Sequence, residues 1–350
     1  MEFENYRTKL SPSYYHKKLM RRTKKRLAFS PGVDFISWQK RLRKQFLELI
    51  GHIDKEKCPV KFKILEERIY SNYILKKILF TTNPDVMNIA YLLIPRMKKT
   101  KFPAMICLQG HTPGAHISIG KAYTKHDKEY IAGDRDFAIQ AVKNGFVALA
   151  IEQRCFGERR EKLQKSICPY STCLDAEIHA LMLGTTLVAE RVADVMRGID
   201  LLCQIPYVDK NRIGCIGHSA GGTATYYTSC VDRRIKLAVS SCAFCTYEGS
   251  PMNVSGCMCR CIPRILNFCS MEDLAGLIAP RYLIIVAGKK DSISPIAEVR
   301  KGFKTVKQIY QEAGVPMNCK LIVGSGGHRF YAGLTWPVIN SILLNREQEK

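Results

Sequence analysis

Asn211–Tyr226 reads NRIGCIGHSAGGTATY. The apolar run Arg212–Ile216 has the composition of a buried strand. It enters Gly217-His218-Ser219-Ala220-Gly221-Gly222 directly, and a helix of small residues begins at once. A G-x-S-x-G in a strand–turn–helix setting holds its serine on a sharp, strained turn with the hydroxyl exposed. Glycines two before and two after are required because the backbone approaches itself there too closely for a side chain. Ser219 therefore reads as a nucleophile, the plain alternative being a structural strand–helix turn.

A serine at its free pKa is a weak nucleophile, so a base and an orienting acid must accompany it. In chains of this pattern they follow in the order Ser, acid, His, each just past a later strand. Arg281–Lys290, RYLIIVAGKK, is a buried strand that runs into Asp291. Lys320–Gly327 is the next strand and its turn, and it delivers His328 in Gly326-Gly327-His328-Arg329-Phe330. Of the histidines, His328 alone follows a late strand in a glycine-rich turn. Asp291 has a competing reading as a cap for the helix beginning near Pro295. Glu272 and Asp273, the nearest acidic rivals, open a helix and follow no strand.

Acyl transfer also needs backbone N–H donors aimed at the developing oxyanion. One should be the amide of Ala220. The other should come from Gln109-Gly110-His111-Thr112-Pro113-Gly114, the turn after Ala104–Leu108, and is assigned to the amide of His111 with Gly110 giving access. In Glu152–Arg159 (EQRCFGER) a buried Arg–Glu pair that fixes the loop is expected.

Working outward, short apolar runs at Ala104–Leu108, Phe146–Ile151, Arg212–Ile216, Leu237–Ser241, Arg281–Ala287 and Lys320–Val323 imply parallel strands covered on both faces. Helical patterns at Asp136–Asn144, Leu187–Gln204, Ala220–Cys230 and Ile296–Ala313 separate them. Phe62–Tyr70, Tyr73–Thr81 and Asn88–Ile94 read as antiparallel opening strands, with a turn at Thr82-Asn83-Pro84-Asp85. Phe35–Ile50 is an amphipathic helix ending at Gly51, with Trp38 packing on the sheet. The first thirty residues are a loose arm or a short helix. The expected organisation is a basic helical extension over 1–58 and an α/β catalytic domain over 59–350, with a lid-like insertion around 242–280.

The 350 residues are 46% hydrophobic and 24% charged, an ordinary globular balance. No run of about 18 apolar residues is present, so no membrane span is expected. Of the net charge of +23, residues 1–50 carry 13 Lys/Arg against 4 Asp/Glu. With no nucleic-acid fold signature beside it, this charge reads as a solvated extension rather than a nucleic-acid surface. Fifteen cysteines, an odd number, suit reduced thiols and a cytoplasmic location. Cys257, Cys259 and Cys261, with Cys242 and Cys245 upstream, could suggest zinc, but the C-x-C-x-C spacing lacks the usual C-x2-C pairing twice over and has no nearby histidine, so neither metal nor cofactor is expected.

With these residues in place the chain resembles α/β-hydrolases of the dienelactone hydrolase-like and acetyl xylan esterase-like group. The resemblance runs from about Ser37 to the C-terminus. It rests on Trp38 and its helix, Leu108-Gln109-Gly110-His111, Glu152-Gln153-Arg154, Gly157-Glu158-Arg159, Gly217–Gly222, Asp291 and Gly327-His328. It implies an α/β-hydrolase fold, a mostly parallel sheet with helices on both faces, and metal-free hydrolysis of small carboxylic esters, often acetyl groups on sugars. Dienelactone hydrolases proper carry a cysteine where this chain has Ser219. A peptidase of similar fold, and a hydrolase-fold scaffold that binds an anionic partner through its basic N-terminus, are the rival readings. The expected partner is a small-molecule ester, with an oligomer left open.

Overall fold

The computed structural model describes residues 9–51, 53, 58–161, 172–254 and 256–344. Nine strands form one sheet: β1 (Phe62–Ile69), β2 (Tyr73–Asn83), β3 (Val86–Pro95), β4 (Phe102–Leu108), β5 (Val147–Ile151), β6 (Val208–His218), β7 (Ile235–Ser241), β8 (Tyr282–Gly288) and β9 (Cys319–Gly324). Their order is β1-β2-β3-β5-β4-β6-β7-β8-β9. The pairs β1–β2, β2–β3 and β3–β5 are antiparallel, and every pair from β5 to β9 is parallel. β4 and β5 are buried throughout, as their unbroken apolar sequences require. β1 is an exposed edge carrying Glu66, Glu67 and Arg68 with a register break after Ile64, features that discourage further pairing.

The helices are α1 (Pro12–Arg22), α2 (Phe35–Ile50), α3 (Lys125–Ala132), α4 (Phe137–Lys143), α5 (Thr172–Met182), α6 (Leu187–Gln204), α7 (Ala220–Val231), α8 (Ala275–Ile278), α9 (Ile296–Glu312) and α10 (Ala332–Leu343). Alternation along the strands sorts them into two layers. Leu283 and Ile285 of β8 join the core with α2, α7, α8 and α9, whereas Ile284 and Val286 join the core with α4 and α10. Strand pleating sends successive side chains to opposite faces, which accounts for the split.

The amphipathic pattern of α2 is realised at Trp38, Leu42, Phe46, Leu49 and Ile50, its buried positions, whereas Ile36, expected on the same face, is exposed in the first turn. Asp34 caps its start by accepting from the Ser37 amide at 3.2 Å, and Gly51 ends it at φ 86°. Trp38 differs from expectation in what it touches. Its ring lies where a side chain on Gly276 of α8 would fall, edge-on to Phe29, with Nε1 donating to the Leu27 carbonyl at 3.0 Å. It packs against a helix and the N-terminal segment rather than flat on the sheet.

Segment 26–29 also bonds to the β7–β8 connection. The amide of Leu27 donates to Phe268 O at 2.7 Å, and that of Phe29 to Asp273 Oδ1 at 2.8 Å. That connection buries Phe244, Tyr247, Ile265, Phe268 and Leu274 in the same core as α2 and α7. By contrast α1 buries no residue, so its basic side chains remain solvated.

Candidate active site

The parallel register sets the strand ends level with one another. Leu108 lies opposite Gly217, His218 opposite Ser241, Ser241 opposite Val286, and Gly288 opposite Gly324. The chain leaves β4 toward β5 on one side and returns to β6 on the other. The crevice past the ends of β4 and β6 is therefore the topological switch point, where open α/β sheets bind ligands. Ser219, Asp291 and His328 follow β6, β8 and β9 on this edge.

Ser219 holds φ 54° and ψ −120°, a backbone region that costs a non-glycine residue about 1–3 kcal/mol. The strain persists because the surrounding bonds fix it: Ser219 N donates to Ser241 O at 2.8 Å and Thr223 N donates to Ser219 O at 2.9 Å. The flanking glycines are sterically required. A side chain on Gly217 would overlap the Gly221 carbonyl, and one on Gly221 would overlap the carbonyl of Leu108. Gly110 is bare for the same reason: a Cβ there would sit 3.0 Å from Ser219 Cβ and 2.8 Å from His218 O. The β4 turn thus lies against the serine, as its sequence position suggested.

His328 Nδ1 bonds Asp291 Oδ2 at 2.8 Å. The other carboxylate oxygen, Oδ1, accepts from the amides of Ile293 and Ser294 at 2.9 and 3.2 Å. Asp291 is buried, which opposes its charge. The His328 hydrogen bond and charge, with the two amides, outweigh burial and hold the carboxyl below its ordinary range. The residue before α9 is Pro295, so Asp291 braces the preceding turn and is not that helix's cap. Arg135 Nη2 grips the His328 carbonyl at 2.7 Å, and Tyr331 Oη donates to Gly327 O at 2.8 Å, so the histidine loop is held from both sides.

His218 is fully buried beside the site, its ring centre 4.6 Å from that of His328. Burial first, then the neighbouring His328 and Arg135, hold it well below the ordinary histidine pKa, so it stays neutral. Its Nδ1 bonds Ser241 Oγ at 3.1 Å. Neither His218 nor Arg135 emerged from the sequence as a site residue. His218 stood inside the serine motif, but its contact with His328 exists only across strands, and Arg135 carries no local signal.

The loop after β5 departs from the expected Arg–Glu pair. Arg154 bonds Asp194 at 2.9 Å and Glu190 at 3.1 Å, both on α6. Glu152 instead accepts from Gln109 Nε2 at 2.6 Å and from the Ala115 amide at 3.0 Å, bracing the β4 turn. Burial raises its pKa to about 7 from an ordinary 4.5. Because the folded chain holds this proton more tightly than the unfolded one, stability should fall as pH rises between about 4.5 and 7. Urea unfolding of wild type and Glu152→Gln at pH 5 and pH 8 checks this. The wild type should lose up to about 3 kcal/mol more than the variant between the two pH values.

His111 lies beside the serine through Gly110, while its imidazole turns to Cys259 Sγ at 3.7 Å and meets Phe156 edge-on. The expectation of thiols without a histidine is thereby corrected: chain folding brings His111 to Cys259, 148 residues later. Among the described residues every cysteine is a free thiol. No helix among them is long and apolar enough to cross a membrane.

A mostly parallel sheet with helices on both faces, a strained serine at a strand–helix turn and an Asp–His pair on the same sheet edge define an α/β-hydrolase. The chain belongs to the Abhydrolase family, whose model matches residues 9–322. It is 26% identical over 291 residues to "Putative hydrolase YtaP" of Bacillus subtilis (strain 168), covering 82% of this chain and 92% of that one. Among solved structures it is similar to a "putative acetyl xylan esterase (BF1801)" from Bacteroides fragilis NCTC 9343. That match has a TM-score of 0.76 at 19% identity and covers 95% of each chain. A glucuronoyl esterase from Solibacter usitatus matches with a TM-score of 0.66 at 15% identity, over 91% of this chain and 97% of that one.

Proposed function

We propose that this chain is a serine esterase that cleaves small carboxylic esters, acetyl esters foremost, through an acyl-enzyme. The observation that carries the reading is Ser219 at positive φ on the β6–α7 turn, on the sheet edge where Asp291 bonds His328 Nδ1. With Nδ1 engaged, Nε2 is the nitrogen left to take the Ser219 proton. The hydroxyl oxygen then attacks the ester carbonyl, and the amides of Ala220 and His111 receive the oxyanion charge. The alcohol leaves with the proton from His328, and water repeats the sequence on the acyl-serine. The names of the acetyl xylan and glucuronoyl esterases of similar fold support carboxylic ester substrates.

Phe156, in the buried cluster that also holds Ala220, is the side chain proposed to meet the acyl group. The loop after β5 contributes it. The test is hydrolysis of p-nitrophenyl esters from acetyl to octanoyl. Turnover highest for acetyl and falling with chain length is expected. No turnover of any ester by folded protein would overturn the reading.

A further inference from the structure

Four side chains from three distant segments converge beside Ala220. They are His111 from the turn after β4, Cys173 from the first turn of α5, and Cys257 and Cys259 from the β7–β8 connection. Their ligand atoms all lie within 4.8 Å of one another, and His111 Nε2 is 3.7 Å from Cys259 Sγ. A tetrahedral zinc centre, with Zn–S near 2.3 Å and Zn–N near 2.0–2.1 Å, holds its donors about 3.6–3.8 Å apart. The Cys259 amide also points at Cys257 Sγ at 3.4 Å, a donor suited to a thiolate rather than to a second thiol.

The charge around the cluster points the same way independently. Arg191 on α6 is 3% exposed and makes no ion pair with a carboxylate among the described residues. Its Nη2 reaches Cys173 Sγ at 3.4 Å, its guanidinium lies over the Phe156 ring, and its Nε and Nη1 have no hydrogen-bond partner among the described residues. A buried cation left beside neutral thiols would be costly. Three thiolates and a neutral imidazole around a divalent zinc carry one net negative charge, which Arg191 balances.

From this arrangement we infer that His111, Cys173, Cys257 and Cys259 form a zinc site, structural in kind, that ties the β4 turn, α5 and the β7–β8 connection together at the rim of the serine. All four positions are filled by protein, the mark of a structural rather than a catalytic centre. On binding, the metal takes one lone pair from each sulfur and from His111 Nε2, and the thiol protons leave to solvent. The site stands whether or not the chain hydrolyses esters. Cys261, although adjacent in sequence, is outside the ligand set.

Elemental analysis of the full chain, expressed with zinc and desalted, should give one zinc per chain. Cobalt added to chelator-stripped wild type should produce the visible bands and near-ultraviolet thiolate charge transfer of a tetrahedral thiolate-rich centre. The Cys257→Ser/Cys259→Ser variant should lose the metal. Cys242→Ser should keep it, which excludes the other cluster of ligating groups, Cys242 with Asp291 and His328. Folded wild type with neither zinc nor cobalt bands would overturn the inference without recourse to any variant. So would metal lost in Cys242→Ser and retained in the double variant.

Discussion

Ser219→Ala is expected to lower kcat for p-nitrophenyl acetate by on the order of 10,000-fold or more while leaving the fold intact. As the proposed nucleophile, Ser219 would itself become the acyl-enzyme, so no other group could substitute for it. Alanine keeps the Cβ, and with it the backbone strain at φ 54°, so its stability should match the wild type. Ser219→Gly separates the two properties. Activity should be lost equally, but relief of about 1–3 kcal/mol of strain, offset by glycine's greater unfolded freedom, should leave it about 1 kcal/mol more stable. Steady-state hydrolysis beside urea unfolding of the three proteins reads both effects. A Ser219→Ala protein that retains wild-type turnover would remove the serine from the mechanism.

The second large effect is at Asp291. Asparagine keeps the oxygen that accepts from Ile293 and Ser294, so the turn should survive. Its amide, however, donates toward His328 Nδ1 where the carboxylate accepted. The imidazole proton is then forced onto Nε2, the nitrogen that must act as base. A fall in kcat of about 10,000-fold with little change in KM or in unfolding midpoint is expected for Asp291→Asn. A drop confined to KM would instead make Asp291 a substrate-binding group.

Much of this architecture is local and was therefore readable in the chain. Six apolar runs became β4 to β9, and the pattern of Phe35–Ile50 became α2 with both boundaries as read. The turn before β3 tightened to Pro84 and Asp85 because β2 continues to Asn83. Helices α3, α5 and α10 went unread. Their sequences mix apolar with polar or β-branched residues, and α10 contains Pro337, so packing rather than periodicity decides them.

The sequence by itself determined the serine turn, its glycines and the order in which Asp291 and His328 follow it, because each depends on a few neighbouring residues and on the strand that precedes them. Tertiary structure alone decided what lies beside those residues. Gly110 meets Ser219 because β4 pairs with β6, and Arg135 reaches His328 from 193 residues away. Glu152 accepts from Gln109 because β5 lies next to β4. The C-x-C-x-C run, read along the chain, gave no metal site. The observed cluster takes two of those three cysteines and completes itself with Cys173 and His111, residues that only the packing of α5 and the β4 turn brings near. Local steric rules act over a few bonds and leave a trace in sequence. Contacts between segments follow from strand order and layer packing, which no short stretch of chain records.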